Sequence, residues 1–144
     1  VSARVDAWRP DGTGRGLLIA GDTRRGKTRV MWLAARAWMR AGIACEFVSD
    51  PDLSIDYGDA VKAGNARQFI AGLVSAPVLL WDDFAKDARY REVVYQVIEK
   101  RMAYRKPMIV TTQLDGQDGN DLFGDRDGSA IVARLRECCD VVRM

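Results

Sequence analysis

Gly21-Asp22-Thr23-Arg24-Arg25-Gly26-Lys27-Thr28 follows a short apolar run and opens a helix-forming stretch. The pattern, two glycines four residues apart with Lys-Thr behind the second, suits one chemistry above all. Glycine removes the Cβ that would keep successive backbone N–H groups from turning inward, and a helix N-terminus already presents unpaired donors to an anion. The spacing therefore predicts a loop that cradles the phosphates of a nucleoside triphosphate. Lys27 is expected at the β and γ phosphates and the Thr28 hydroxyl on Mg²⁺. Arg24 and Arg25 stand where small residues are common.

A second set of polar side chains sits at the end of Val78-Leu79-Leu80-Trp81-Asp82-Asp83. A strand buried on both faces reads as a continuous apolar run, and its C-terminal end opens onto the ligand crevice of a parallel sheet. Asp82 is thereby expected to hold the metal ion through water, and Asp83 to orient or deprotonate an attacking water. Asp83 is one methylene shorter than the glutamate common at such positions. Ile109-Val110-Thr111-Thr112-Gln113 is a third run with a polar tip. If its strand lies between the other two, the tip faces the γ-phosphate, which makes Gln113 the candidate sensor and Thr112 the second choice. A cation for the charge developing in phosphoryl transfer often comes from an adjacent subunit. Arg134, within Ala130–Arg136, is a candidate, while Arg101 falls at the edge of an apolar helix face beside Val94, Val97 and Ile98.

The elements that would position these groups alternate. Strands are predicted at Leu17–Ala20, Ile43–Val48, Val78–Trp81, Met108–Thr112 and Asp140–Met144. Helices are predicted at Thr28–Ala41, with Val30, Leu33, Ala34, Ala37 and Trp38 on one face, at about Asn65–Ser75, at Tyr90–Tyr104 and at Ser129–Arg136. Ser49-Asp50-Pro51-Asp52 reads as a break, and Asp115–Gly128 as a long loop. Alternation of this kind means a mostly parallel sheet with helices on both faces. At 144 residues and 48 % hydrophobic content the chain suits one core. Its 22 basic and 20 acidic residues leave a charge of +2, so any nucleic-acid contact would need a local patch. With no histidine, imidazole acid–base chemistry and His-ligated metals are excluded. Cys45, Cys138 and Cys139 have no metal spacing and fit reduced thiols in a cytoplasmic protein. No apolar run is long enough for a membrane span.

The ordered set of the phosphate loop, Asp82-Asp83-Phe84, Ile98 through Thr112 and Ala133-Arg134-Leu135 resembles AAA+ ATPases of the DnaC type, the bacterial and phage replicative-helicase loaders, with IstB-like transposon ATPases as close relatives. The likeness runs from about Leu17 to Met144. It implies an α/β phosphate-loop NTPase of AAA+ type: a three-layer sandwich with a five-stranded, mostly parallel sheet, as a single ATPase core over residues 1–144. No N-terminal partner-binding domain or C-terminal lid is recognisable in it. The resemblance further implies ATP and Mg²⁺ at Gly26, Lys27, Thr28 and Asp82, with Asp83 as catalytic carboxylate. Gln113 becomes the first sensor, where the family usually has a small polar residue such as Asn, and Arg134 an arginine finger acting in trans. Implied partners are a DnaB-like replicative helicase or a transposase, single-stranded DNA, and further copies of the chain.

Two other readings use the same loop. A small-molecule or nucleotide kinase needs an acceptor pocket and a cation-bearing lid, yet Asp115–Gly128 is acidic and glycine-rich, with Arg126 its one cation. A nucleotide-gated interaction module with little turnover would account for Arg24, Arg25 and Gln113. Between the second and third strands, where initiator-type relatives insert a DNA-tracking helix, the chain is compact, and Lys62 and Arg67 are the candidate phosphate contacts there.

Overall fold

A computed structural model describes residues 7–21, 26–84, 90–113 and 126–144, with backbone only for 126–129 and 132. Its elements in chain order are β1 (Gly16–Ala20), α1 (Lys27–Arg40), β2 (Cys45–Ser49), α2 (Asp50–Lys62), α3 (Ala66–Ser75), β3 (Val78–Asp82), α4 (Arg91–Ala103), β4 (Met108–Thr112), α5 (Arg126–Cys138) and β5 (Cys139–Arg143). The five strands form one parallel sheet in the order β2-β3-β4-β1-β5. The fold is thus the α/β, phosphate-loop arrangement expected, and β4 does lie between β1 and β3.

Central strands β1, β3 and β4 are buried at all five positions, which is why they read as unbroken apolar runs. Successive residues alternate between two cores because side chains on a strand point to opposite faces. Leu18, Leu79, Trp81 and Val110 enter the core under α2 to α5, together with Leu53, Val94, Val97, Ile98, Ile131 and Leu135. Leu17, Ile19, Leu80 and Ile109 enter the other, closed by α1 through Met31, Ala34, Ala35 and Trp38. Trp8 caps this second core, its ring 4.7 Å from that of Trp38 and its carbonyl accepting from Trp38 Nε1 at 3.2 Å.

The structure corrects three details. Helix α1 turns Met31, Ala34, Ala35 and Trp38 inward, while Leu33 is 51 % exposed and Ala37 is also outside. Small alanines let the helix axis sit close to the sheet, and packing distance outweighs the hydrophobicity of one leucine. Ser49-Asp50-Pro51-Asp52 does not break the chain but starts α2: Ser49 Oγ accepts from the Asp52 N–H at 3.3 Å, proline occupies the first turn, and two aspartates face the helix N-terminus. Helix α5 begins at Arg126, so residues 126–128 of the expected loop are its first turn. Residues 114–125 lie outside the described residues.

Candidate functional site

The C-terminal ends of β1, β3 and β4 lie side by side, and α1 starts there. Gly26 caps α1 with φ +82°, a left-handed conformation that glycine adopts without strain. At the other end of the loop, a Cβ on Gly21 would come within 2.4 Å of the Met144 carbonyl oxygen. Both glycines of the motif therefore have a steric reason. Asp22, Thr23, Arg24 and Arg25 lie outside the described residues.

Lys27 is 7 % exposed and its Nζ donates to the Gly21 carbonyl at 2.8 Å, spanning the loop from end to start. Thr28 Oγ1 donates to Asp82 Oδ1 at 2.8 Å, across 54 residues of sequence. The same carboxylate oxygen accepts from Thr111 Oγ1 at 2.5 Å. Thr111 in turn accepts the Asp83 backbone N–H at 3.0 Å, and its carbonyl takes the Phe84 N–H at 2.8 Å. Asp83 holds φ +53°, an uncommon value for a non-glycine residue, fixed by these two bonds on either side of the turn. Helix start, acidic strand end and neighbouring strand thus meet on one carboxylate.

A hydroxyl and a carboxylate oxygen side by side are hard oxygen donors of the sort Mg²⁺ takes, usually as one or two protein ligands with phosphate and water completing the set. Among the described residues there is no group of three or more His, Cys, Asp or Glu side chains able to hold an ion unaided. The Thr28–Asp82 pair fits a metal shared with a polyphosphate.

Of the other expected site residues, Asp83 is half-buried just beyond Asp82, and Gln113 is exposed immediately past the end of β4, at the strand tip between the phosphate loop and the acids. Thr112 is turned away, its hydroxyl donating to the Phe84 carbonyl at 3.1 Å. Thr111 is the residue the sequence did not single out; its signal lies in the strand pairing, since Trp81 is level with Val110 and the next pair along is Asp82 and Thr111.

Arg134 is not joined to this cluster by any described contact. Its Nε donates to Glu99 of α4 at 2.5 Å and its Nη1 to Glu137 at 3.2 Å, with the side chain 39 % exposed. The bonds to Glu99, and then to Tyr95, hold the guanidinium even more firmly protonated than usual. Arg101, expected at an edge, is instead wholly buried. Its Nη1 donates to the carbonyls of Leu73, Val74 and Ala76 and its Nη2 to Pro107, tying the end of α3 to the start of β4. Burial lowers its pKa to about 10, which leaves it charged at neutral pH. The three cysteines are free, with Cys138 and Cys139 sulfurs 3.6 Å apart. Among the described residues no helix is long and apolar enough to cross a membrane.

Residues 13–144 match the family model of the IstB-like ATP binding proteins. No curated protein matches the chain. Among solved structures, the DnaC helicase loader superposes with a TM-score of 0.83 at 24 % identity, covering 99 % of this chain and 84 % of that one. DnaI follows at 0.81 and 20 % identity, over 99 % and 80 % of the two chains. DnaA from Aquifex aeolicus, bound to AMPPCP, gives 0.80 at 20 % identity over 99 % of this chain and 44 % of its own. The chain thus spans less than half the length of that DnaA. At these identities the structures share the AAA+ fold.

Proposed function

Because the chain belongs to the family of IstB-like ATP-binding proteins, we propose that it binds ATP with Mg²⁺ at the Lys27, Thr28 and Asp82 centre and hydrolyses it when copies assemble side by side. The observation that carries this reading is the 2.8 Å hydrogen bond from Thr28 to Asp82, which joins the phosphate-loop helix to the acidic strand end. In the bound state the Lys27 ammonium leaves the Gly21 carbonyl for the β and γ phosphates, and the loop's N–H groups take the remaining phosphate oxygens. Mg²⁺, when bound, supplies charge that offsets the phosphates. Thr111 keeps the Asp82 carboxylate facing Thr28 and, through the Asp83 N–H, fixes the direction in which Asp83 leaves the strand. Asp83 then accepts a proton from, or orients, the attacking water, and the Gln113 amide holds that water from the neighbouring strand tip. Arg134 gives up Glu99 and Glu137 to reach the γ-phosphate of an adjacent copy.

The cellular role in this reading is that of a loader or remodeller acting on a replicative helicase or a transposase, with single-stranded DNA as a further partner. The DnaC helicase loader and a DnaA bound to AMPPCP and single-stranded DNA share its fold. The test is ATP hydrolysis against protein concentration, with and without single-stranded DNA. Specific activity that climbs with both supports a shared site. A flat, DNA-indifferent rate means a self-contained site and removes the trans role of Arg134.

A further inference from the structure

Four of the large apolar side chains left exposed gather in one place. Trp32, Leu33 and Met39 lie on the outer side of α1, and Phe47 of the edge strand β2 stacks on Trp32 with ring centroids 4.8 Å apart. Arg29, Trp32, Leu33, Arg36 and Met39 line a depression of about 390 Å³. Spacings of three and four make them a single stripe, opposite the Met31, Ala35 and Trp38 stripe that closes the core. Arg29 and Arg36 form no ion pair among the described residues, and α1 contains no acid at all. Such a patch, aromatic and apolar with arginines beside it, has the composition of a protein interface.

The complement stands on the same chain. Helix α2 presents Asp52, Ile55, Asp56 and Asp59 outward at the same helical spacing, with Ile55 60 % exposed and Val61 52 % exposed close by. Its outer side is therefore acidic with aliphatic residues between the charges, where α1 is basic with an aromatic groove. The two helices flank the same sheet edge through β2 but pack on opposite faces of the sheet, so one chain cannot close the pair on itself.

We propose that the basic, aromatic stripe of α1 in one copy docks on the acidic stripe of α2 in the next, Ile55 seating against Trp32 and Leu33 with Arg29 and Arg36 facing Asp56 and Asp59. The contact is head-to-tail and leaves one free stripe at each end, so it propagates instead of stopping at a dimer. It stands without the proposed ATPase; where that reading holds, it deepens it. The phosphate loop opens α1 and Arg134 belongs to the same helix layer as α2, so the two docking stripes lie on the two layers that the proposed ATPase would bring together between neighbouring copies.

Sedimentation velocity over a concentration series, without nucleotide, tests it. The native chain grows beyond a dimer, and added salt reverses the growth. The pair Arg29→Glu/Arg36→Glu, or the pair Asp56→Arg/Asp59→Arg, sets like charges opposite each other and weakens association about 100-fold or more. A chain carrying all four substitutions associates again, because the charges are exchanged and still complementary; circular dichroism of each variant reports folding separately. A native chain that stays monomeric, association indifferent to the reversals, or a fourfold variant that does not recover overturns the proposal. So does growth that appears only with added DNA, which would assign the arginines to phosphate. Failure of ATP hydrolysis with intact, reversal-sensitive association would defeat the ATPase reading alone.

Discussion

The Asp82 corner and the Arg134 corner of this molecule are built in opposite ways. Asp82 is 7 % exposed and takes two hydroxyl hydrogen bonds from elements far apart in the chain, so its geometry is completed by the fold itself. Arg134 is 39 % exposed and held by two carboxylates on the outer surface, Glu99 and Glu137. Exposed ion pairs of this kind contribute only about 0–1 kcal/mol and exchange readily. A group buried in a network is committed to one position, whereas a screened surface pair can give up its partner for a stronger anion. In the proposed reading, one half of the ATP site is therefore assembled within the chain and the other half is directed outward.

Arg134→Ala separates the two corners most strongly. The reading predicts a loss of about 10³-fold in assembly-dependent hydrolysis, with nucleotide affinity retained in a fluorescent-nucleotide titration. Equal loss of affinity would place Arg134 in its own chain's site. Next comes Arg101, which belongs to neither corner. Arg101→Leu strips a donor from four carbonyls, and denaturant unfolding should show a loss of about 3 kcal/mol, while the folded fraction binds nucleotide as before. Lys27→Ala should weaken nucleotide binding by about 100-fold, with a cost in unfolding of only about 1 kcal/mol, from the lost hydrogen bond to the Gly21 carbonyl. The smallest effect is expected for Thr111→Val, which leaves the Asp83 N–H without its partner. It should cost about 1–2 kcal/mol in stability and lower turnover more than affinity. Thr112→Val, whose hydroxyl donates to the Phe84 carbonyl, should cost stability and leave turnover per folded molecule alone. Identical kinetic behaviour of the two valine variants would remove Thr111 from the site.

The parts of this arrangement visible in the amino-acid order are those where one physical requirement dominates. Strands β1, β3 and β4 must be apolar on both faces, so Leu17–Ala20, Val78–Trp81 and Met108–Thr112 stand out, and the polar groups at their ends stand out with them. Helix α2 was concealed because Ser49-Asp50-Pro51-Asp52 has the composition of a turn; only the cap from Ser49 to the Asp52 N–H shows that it is a helix start. The inner side of α1 depends on how closely the helix approaches the sheet, a tertiary quantity that favoured Ala35 over Leu33. Thr111 becomes visible only once β3 and β4 are in register. Arg101 carried a helical-edge pattern, yet four backbone carbonyls, two in α3, one just past its end and one just before β4, draw it inside, and no local pattern specifies that convergence.

A mixing experiment asks whether Arg134 serves the phosphate loop of a neighbouring copy. Lys27→Ala supplies an intact Arg134 with a disabled phosphate loop, and Arg134→Ala supplies the reverse. Each alone should hydrolyse ATP at background rate, and an equimolar mixture should recover activity that rises with total protein, because mixed neighbours rebuild one whole site. A mixture no more active than the sum of its parts, at concentrations where both variants still associate, would contradict the account.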